Sequence, residues 1–318
     1  MSRTNNTNIQ ILQKQTTMPE IIDCNSQKDN SPLDLTILLP AYNEENAIES
    51  LIAEIRNAMA EWSGKWEILV VDDCSSDNTA AKASLSGVRV VKRVENGGSG
   101  ASRKTGIRES QGKLIAMLDA DGSYDPSSLP ELLSYFPDYD QVNGARTSEQ
   151  GTIKFLRVPI KWSIRKLAEI VSGKKIPDLN TGLKIFKRDL MRNYLWVIPD
   201  GFSCVTSMTL AFMCNGHSVK YIPVTYRKRI GKSKFHPIHD TLQYFLTVLR
   251  MITYFRPLRV LAPLAFSLGA IGVLRASYHI FYSPDLGITD SDVILIVTGL
   301  MILVAGMLAD LIVKQRQS

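Results

Sequence analysis

The sequence predicts an α/β fold, with a Rossmann-like, mostly parallel sheet and flanking helices, followed by a C-terminal two-helix transmembrane hairpin. Between residues 35 and 118, short apolar runs alternate with amphipathic segments of helical spacing, which is the pattern of repeated βαβ units. Near the end of the 318-residue chain, two further apolar segments are each long enough to cross a bilayer, which takes roughly 20 residues.

Apolar runs in the first half of the chain predict strands, and the segments between them predict helices. The strands are residues 35–39, 67–71, 88–91 and 114–118, and the helices are residues 46–62, 78–85 and 99–110. Continuous apolar runs of this length are typical of parallel strands covered on both faces. Beyond residue 126 we predict a basic amphipathic stretch (153–175), a helix (202–214), a strand (219–222) and an interfacial helix (235–255).

Composition divides the chain into regions. These are a disordered tail (1–33), a folded domain (34–234), amphipathic juxtamembrane helices (235–257), two transmembrane helices (258–313) and a short tail (314–318). The first region is rich in polar residues and lacks the apolar core of a signal peptide. The widely spaced cysteines form no C-x-x-C pair, which favours a reducing compartment over a disulfide framework or a zinc site.

Charge around the apolar segments predicts the orientation of the hairpin. The loop 283–292 between them holds acids and no Lys or Arg, whereas Arg256, Arg259, Lys314 and Arg316 flank the other ends. Positive charge marks the cytoplasmic side. We therefore expect a cell-membrane protein with two spans and with its large domain in the cytoplasm.

Two charged residues interrupt the apolar segments, Arg275 in the first and Asp310 in the second. In an antiparallel hairpin they lie at different depths and are not expected to pair. Two interpretations of Arg275 stay open: it snorkels to the outer interface, or it contacts a partner subunit or a lipid phosphate.

The strand 114–118 ends in a pair of acids, Asp119 and Asp121, separated by one residue. In extended chain both carboxylates point to one face, and two such charges are costly unless a cation neutralises them. Oxygen ligands suit Mg²⁺ or Mn²⁺. Because the carboxyl ends of parallel strands are where ligands bind, we predict a metal site here rather than a solvated turn.

Three other motifs keep two interpretations each. The pair Asp72-Asp73 accepts hydrogen bonds from a nucleotide base or caps the next helix. The glycine loop 96–101 cradles a phosphate or is a tight packing turn. The basic residues of segment 227–234 attract anionic lipid or bind phosphate. Nucleic acid is not expected, because no stacking aromatic pattern accompanies the basic residues.

Six motifs in order carry a resemblance to a known family: L-L-P-A-Y-N-E-E-N, V-V-D-D-C-S-S-D-N-T, N-G-G-S-G-A, M-L-D-A-D-G-S, N-G-A-R and R-I-G-K-S-K-F. Over residues 35–234 the chain resembles family 2 glycosyltransferases of the GT-A fold. It is most similar to the polyprenyl-phosphate glycosyltransferases, which include dolichol-phosphate mannose synthase-like enzymes with a C-terminal membrane hairpin. The Q-x-x-R-W signature of processive polysaccharide synthases is absent from the sequence.

The resemblance implies a role for each matching residue. Those expected to bind the nucleotide sugar are Pro40, Tyr42, Glu44, Val71, Asp73, Ala120, Arg229 and Lys234. Those expected to bind the acceptor phosphate are Arg146 and Arg157. The metal ligands, for Mg²⁺ or Mn²⁺, would be Asp119, Asp121 and Ser123, and the catalytic residues Asp119, Asp121 and Asp178.

Two departures from the family pattern weaken individual assignments. Several relatives have Gln where Ser123 stands. Many have their basic residue where Lys228 stands rather than at Arg229, so either residue is a candidate. The role of Asp178 is also left open by the resemblance.

The resemblance implies a membrane-anchored, inverting and metal-dependent transfer of one sugar from a nucleotide sugar to undecaprenyl or dolichyl phosphate. An ionised phosphate acceptor needs no strong base. Two alternatives stay open. A hydroxyl-bearing membrane acceptor, a lipid or lipid-linked glycan, would make Asp178 the base, and a non-catalytic membrane scaffold would need no chemistry. Relatives of this kind can also form homo-oligomers through their membrane helices.

Overall fold

The computed structural model describes residues 20–22, 32–147, 165–166, 168–169, 172–201, 203–229, 237–282 and 287–317. Within these residues, eight strands form one sheet. They are β1 (Glu20–Ile22), β2 (Leu35–Ala41), β3 (Trp66–Asp72), β4 (Arg89–Lys92), β5 (Leu114–Met117), β6 (Gln141–Arg146), β7 (Lys184–Lys187) and β8 (Val219–Val224). Their order across the sheet is β1-β4-β3-β2-β5-β7-β6-β8.

The sheet is parallel except at two strands. β2 pairs in parallel with β3 and β5, β3 with β4, and β6 with β8. β7 runs antiparallel to both β5 and β6, and β1 runs antiparallel to β4. The predicted α/β fold with a mostly parallel sheet is confirmed. β6 and β7 were not predicted, because neither Q-V-N-G-A-R nor K-I-F-K is a long apolar run, and β1 lies inside the segment predicted as a disordered tail.

Helices cover both faces of the sheet, and the last two of the chain lie apart from it. In the described residues the helices are α1 (Ile48–Ala58), α2 (Thr79–Leu85), α3 (Ser99–Glu109), α4 (Leu129–Leu133), α5 (Arg188–Arg192), α6 (Cys204–Cys214), α7 (Pro237–Phe255), α8 (Pro257–Tyr282) and α9 (Asp290–Gln317). Successive residues of a strand face opposite sides. Accordingly Ile37 and Leu39 pack in the core under α1, whereas Leu38 packs in the core under α3 and α6.

The helix α7 joins the folded domain to the two apolar helices α8 and α9. Val248 and Met251 of α7 are buried in a cluster with Leu210 and Met213 of α6, while Phe245 on another face of α7 is exposed. α8 and α9 are long and apolar enough to span a bilayer. They pack closely at glycines: a Cβ on Gly299 would lie 2.7 Å from the carbonyl oxygen of Ala265. The predicted two-helix hairpin is confirmed.

Arg275 has a partner within the hairpin. Its Nε lies 3.2 Å from Oδ1 of Asp292, a buried residue in the first turn of α9. Asp292 also accepts from the hydroxyl of Thr289 at 2.8 Å. Arg275 is thus directed towards the loop end of the hairpin, as snorkelling requires. Its partner there is a carboxylate of its own chain, which was not predicted from the sequence. Asp310 pairs with Lys314 instead, at 3.1 Å, so Arg275 and Asp310 do not pair, as expected.

Candidate active site

The polar motifs meet at one edge of the sheet. The carboxyl ends of β2, β3, β5, β6 and β8 lie at this edge, and because β7 is antiparallel its amino end lies there too. The residues that follow or precede these ends are Tyr42, Glu44, Asp73, Asp119, Asp121, Arg146, Asp178 and Arg229. Ligands bind at this edge in open α/β sheets.

Asp119 is held from behind by Arg103, a residue that no motif singled out. Arg103 Nη2 donates to Asp119 Oδ1, and the Arg103 side chain is only 7% exposed against 34% for Asp119. Burial raises the pKa of Asp119 against the charge of Arg103, and the carboxylate of Asp121 adds to the rise. A second cation at the exposed side would relieve this cost.

The acid pair offers a fitting place for a divalent cation. Asp119 Oδ2 lies against Gly182, where an added Cβ would lie only 2.2 Å away, so only a residue without a side chain fits beside this carboxylate, which stays 34% exposed. Asp121 Oδ1 accepts from the Ser123 amide at 3.0 Å, and the Ser123 hydroxyl oxygen is buried without a hydrogen-bond partner among the described residues. All three side chains present hard oxygen, the donor type that Mg²⁺ and Mn²⁺ prefer.

The acids number too few to enclose the cation alone. Within the described ranges no group of three or more His, Cys, Asp or Glu side chains is placed to share a metal. Mg²⁺ is commonly held by one or two carboxylates together with substrate phosphates and water. Asp119 and Asp121 therefore fit a cation that arrives with a diphosphate.

The loop after β8 brings Arg229 to the acids. Arg229 Nη2 lies 3.4 Å from Asp121 Oδ2 and 3.5 Å from Glu44 Oε1. The loop is fixed by Arg227, whose backbone N–H donates to the Ser123 carbonyl at 2.7 Å and whose guanidinium lies 2.7 Å from Asp125 Oδ2. The side chain of Lys228 is exposed. Of the two candidates from the sequence, the structure brings Arg229 to the site.

Arg146 and Asp178 form a second charged pair in the site, joined through the guanidinium and the carboxylate. The Arg146 backbone N–H also donates to Asp178 Oδ2, at 3.2 Å, and the Arg146 guanidinium lies 5.4 Å from the centre of the Tyr226 ring. Burial works to raise the pKa of Asp178, but the hydrogen bonds and charge of Arg146 hold it below the ordinary value. Asp178 is thus an ionised carboxylate that already accepts hydrogen bonds from Arg146, which is a poor arrangement for a general base.

The glycine loop is a packing turn. Gly97 and Gly98 donate their amides to Asp73 at 3.2 and 2.8 Å, and Gly100 at the start of α3 donates to the Asp200 carbonyl at 2.7 Å. The phosphate-cradle interpretation is therefore wrong, because these N–H groups are already used. Asp73 is 3% exposed, and Arg93 also pairs with it, at 2.9 Å.

The remaining predicted site residues divide into two groups. Pro40 and Tyr42 are half-buried at the end of β2, and Val71 and Ala120 are buried near the ends of β3 and β5. The loops after β2 and β3 are tied together, since the Glu44 amide donates to the Thr79 hydroxyl at 2.8 Å. Two predicted residues, Arg157 and Lys234, lie outside the described residues.

A fully buried lysine lies beneath the site. Lys184, the first residue of β7, is 0% exposed, and its Nζ donates to the Thr209 hydroxyl at 2.7 Å. Burial lowers its pKa to about 7, against the opposing charge of Asp178. No sequence signal distinguished this lysine from an exposed one.

The sheet topology, the acidic strand end with its facing basic groups and the C-terminal hairpin together define a membrane-associated glycosyltransferase of the GT-A fold. The chain belongs to glycosyl transferase family 2, whose profile matches residues 36–195, and residues 256–314 match the GtrB C-terminal hairpin.

Curated relatives include several lipid-phosphate sugar transferases. The chain is 24% identical to the dodecaprenyl-phosphate galacturonate synthase of Rhizobium johnstonii, with 89% of this chain and 88% of that one covered. It is 29% identical to a dolichyl-phosphate hexose transferase of Haloferax volcanii (64% and 87% covered) and 28% identical to an undecaprenyl-phosphate mannosyltransferase of Micrococcus luteus (62% and 85%).

Among solved structures, the fold is similar to glucosyl-3-phosphoglycerate synthase of Mycobacterium tuberculosis, crystallised with Mn²⁺, uridine diphosphate and glucosyl-3-phosphoglycerate. The TM-score is 0.54 at 20% identity, covering 69% of this chain and 80% of that one. This likeness supports the GT-A fold.

Proposed function

We propose that this protein transfers one sugar, with inversion, from a nucleotide sugar to a polyprenyl phosphate such as undecaprenyl or dolichyl phosphate, with Mg²⁺ or Mn²⁺. The observation that carries the proposal is that an acid pair and a fixed guanidinium share one site. The carboxylates of Asp119 and Asp121 supply the acid pair, and Arg146, paired with Asp178, lies close enough for its charge to act on Asp119. The relatives that act on dodecaprenyl, dolichyl and undecaprenyl phosphates support this acceptor class.

The donor end would bind the nucleoside diphosphate. Asp119, Asp121 and the Ser123 hydroxyl would hold the cation, which supplies charge stabilisation to the leaving diphosphate when bound. Arg229, which lies beside Asp121, is positioned to exchange that carboxylate for a diphosphate oxygen. The nucleoside would lie against residues that the resemblance assigns to it, Pro40, Tyr42, Glu44, Val71 and Ala120, with Lys234 closing over the diphosphate. Asp73, which the resemblance also assigns to the nucleoside, is already bonded to Gly97, Gly98 and Arg93 and would have to exchange one of these partners for the base.

The acceptor end would orient a lipid phosphate. Arg146, with Arg157 as its proposed partner, would bind the phosphate and aim one oxygen at the anomeric carbon. That oxygen forms the new bond as the bond to the nucleoside diphosphate breaks on the opposite face, which inverts the configuration. Because the phosphate is already ionised, the step needs no proton acceptor, and holding the reactants in line supplies much of the rate.

An acceptor hydroxyl is the alternative that the site disfavours. A hydroxyl must lose its proton, and Asp178 is the acid near the acceptor end. That carboxylate accepts bonds from Arg146 through both of its oxygens, at 2.7 and 2.9 Å. It is therefore engaged as the counter-ion of Arg146, which favours an acceptor that brings its own negative charge.

The proposed arrangement places the catalytic domain (34–234) in the cytoplasm, with the juxtamembrane helices (235–257) at the headgroup level and a two-span anchor (258–313). The basic residues Arg256, Arg259 and Lys314 beside the spans support this orientation. Labelling of single cysteines in intact cells tests it. A cysteine in the 283–292 loop should react with an impermeant reagent, and a cysteine after residue 314 should not.

The relatives named in the resemblance can form homo-oligomers through their membrane helices. Mass measurement in nanodiscs tests whether copies of this chain associate through the hairpin.

Transfer by the purified full chain tests the activity. Labelled nucleotide sugars are incubated with undecaprenyl phosphate, dolichyl phosphate, undecaprenol or diacylglycerol, with Mg²⁺, Mn²⁺ or EDTA. We expect product with a polyprenyl phosphate and a metal, and none with undecaprenol, which differs only by lacking the phosphate. Transfer to undecaprenol or diacylglycerol would support the hydroxyl alternative, and transfer to none of them would support the scaffold.

A further inference from the structure

Arg103 is a buried cation whose carboxylate partner is an active-site acid. Its Nη1 donates to the Ser99 carbonyl at 3.0 Å and lies 3.4 Å from the sulfur of Cys204, while Nη2 donates to Asp119. A charged side chain is almost never buried unless it is paired. Asp119 is the pairing partner, so the two residues form one unit.

The two oxygens of Asp119 have different surroundings. Oδ1 accepts from Arg103 on the protein side. Oδ2 lies against Gly182, where a Cβ would lie 2.2 Å away, and the Asp119 side chain is 34% exposed. Oδ1 is therefore bonded from inside the fold, while the carboxylate keeps an exposed part that a ligand can reach.

The guanidinium is itself anchored to its own helix and to a second one. Ser99 belongs to the first turn of α3, which is fixed by the bond from Gly100 to the Asp200 carbonyl, and Cys204 is the first residue of α6. Arg103 Nε is buried and has no hydrogen-bond partner among the described residues. Nη1, by contrast, is held by the Ser99 carbonyl and the Cys204 sulfur, so the guanidinium keeps its place independently of Asp119.

We propose that Arg103 is a positioning residue that holds Oδ1 of Asp119, so that Oδ2 alone is presented to the divalent cation and the donor diphosphate. The inference rests on the metal-dependent transfer proposed above. Arg103 is too buried to touch substrate, so it acts through Asp119. Removing hydrogen-bond partners of metal-binding side chains typically costs about 10–100-fold in metal affinity or activity.

The sign of the change in Mn²⁺ affinity separates positioning from simple charge. By charge alone, removing a nearby cation should strengthen the binding of Mn²⁺. If Arg103 fixes the ligand oxygen, Arg103→Met should weaken Mn²⁺ binding about tenfold, because Asp119 is then free to rotate. Mn²⁺ binding to the full chain in detergent, without donor, is measured by the loss of the free-ion electron paramagnetic resonance signal.

The matched control is Arg89→Met. Arg89 is also mostly buried and ion-paired, with Glu67 at 2.9 Å, but it lies at the amino end of β4, on the opposite edge of the sheet. We expect this variant to bind Mn²⁺ like the unmodified protein. In the Asp119→Asn background, Arg103→Met should have no further effect on Mn²⁺ affinity, because the residue through which it acts has been altered.

Unchanged or tighter Mn²⁺ binding by folded Arg103→Met would overturn the inference while leaving the metal proposal intact. Failure of the unmodified protein to bind Mn²⁺ would overturn both. Should Arg103→Met not fold, Arg103→Lys decides, since it keeps the charge but cannot reach all three partners. Weaker binding by Arg103→Lys supports positioning, and unchanged binding overturns it.

Discussion

The guanidinium of Arg146 donates two parallel hydrogen bonds to the carboxylate of Asp178, from Nε to Oδ2 at 2.7 Å and from Nη2 to Oδ1 at 2.9 Å. Such two-pronged pairs fix geometry as well as charge. The side chains are 18% and 12% exposed, so water competes little for the pair. We infer that Asp178 serves the reaction by orienting Arg146 towards the acceptor.

Asp178→Asn tests this role through its kinetic signature. The amide keeps the shape but loses the charge, so Arg146 is no longer fixed. A hydrogen bond to a charged group contributes roughly 1.5–3 kcal/mol, so we expect the KM for polyprenyl phosphate to rise about 10–100-fold with little change in the KM for the donor. A lower kcat at unchanged acceptor KM would instead indicate a base. Asp140→Asn, which loses an ion pair with Lys187 at the opposite edge, is the control.

Arg229 and Lys228 are neighbours with different surroundings. Arg229 lies within 3.5 Å of Asp121 and Glu44, whereas the side chain of Lys228 is exposed. We expect Arg229→Ala to lower kcat/KM for the donor about tenfold or more, since a charge-assisted bond to the diphosphate is lost. Lys228→Ala should stay within about threefold of the unmodified protein, as surface substitutions are usually worth no more than about 0.5 kcal/mol. Equal losses would contradict the assignment to Arg229.

Gly182 lies directly against the carboxylate of Asp119. A Cβ there would lie 2.2 Å from Oδ2, so Gly182→Ala should displace the carboxylate and abolish most transfer. The control is Gly201→Ala, because a Cβ at Gly201 meets nothing within 4 Å. Initial rates and thermal unfolding are compared for both variants. Loss of activity in a Gly182→Ala protein that still unfolds cooperatively would support the steric reason, and full activity would contradict it.

The elements that could be predicted from the sequence are those with a periodic pattern of apolar residues. Apolar runs alternating with amphipathic helices predicted the parallel strands, and because such strands share an edge, the acids after them were expected together. β7 escaped prediction, since its two apolar residues, Ile185 and Phe186, are too short a run to indicate a buried strand. Its antiparallel insertion is nevertheless what brings Asp178 and Gly182 to the acids.

Pairing between distant residues left no trace in the sequence. Arg103 stands 16 positions before Asp119, within a helix of small and polar residues, and nothing local distinguishes it from an exposed arginine. For the glycine loop, the sequence suggested a site that the structure does not contain. Its composition matched a phosphate-binding loop, but the amides of Gly97 and Gly98 donate to Asp73, and this bond depends on the packing of two loops that are distant in the sequence.

Lys184 makes stability depend on pH. Its folded-state pKa is lowered to about 7 by burial, whereas an ordinary lysine titrates near about 10.4. Between these values the unfolded chain holds a proton that the folded chain has released, so the free energy of unfolding rises with pH, by at most about 1.4 kcal/mol per pH unit. Below about pH 7 both states are protonated and this contribution no longer changes.

Lys184→Met should remove that rise. The methionine cannot titrate, so the difference in free energy of unfolding between the two proteins should change between pH 7 and 10 and stay constant below that window, whatever packing cost the methionine adds. Denaturant unfolding of the full chain in detergent at closely spaced pH values measures it. Lys187→Met, at the other end of β7 where the lysine is 37% exposed and paired with Asp140, should keep the rise. A pH-independent difference between unmodified protein and Lys184→Met would mean that Lys184 stays charged in the fold, stabilised by Asp178 more strongly than burial opposes it.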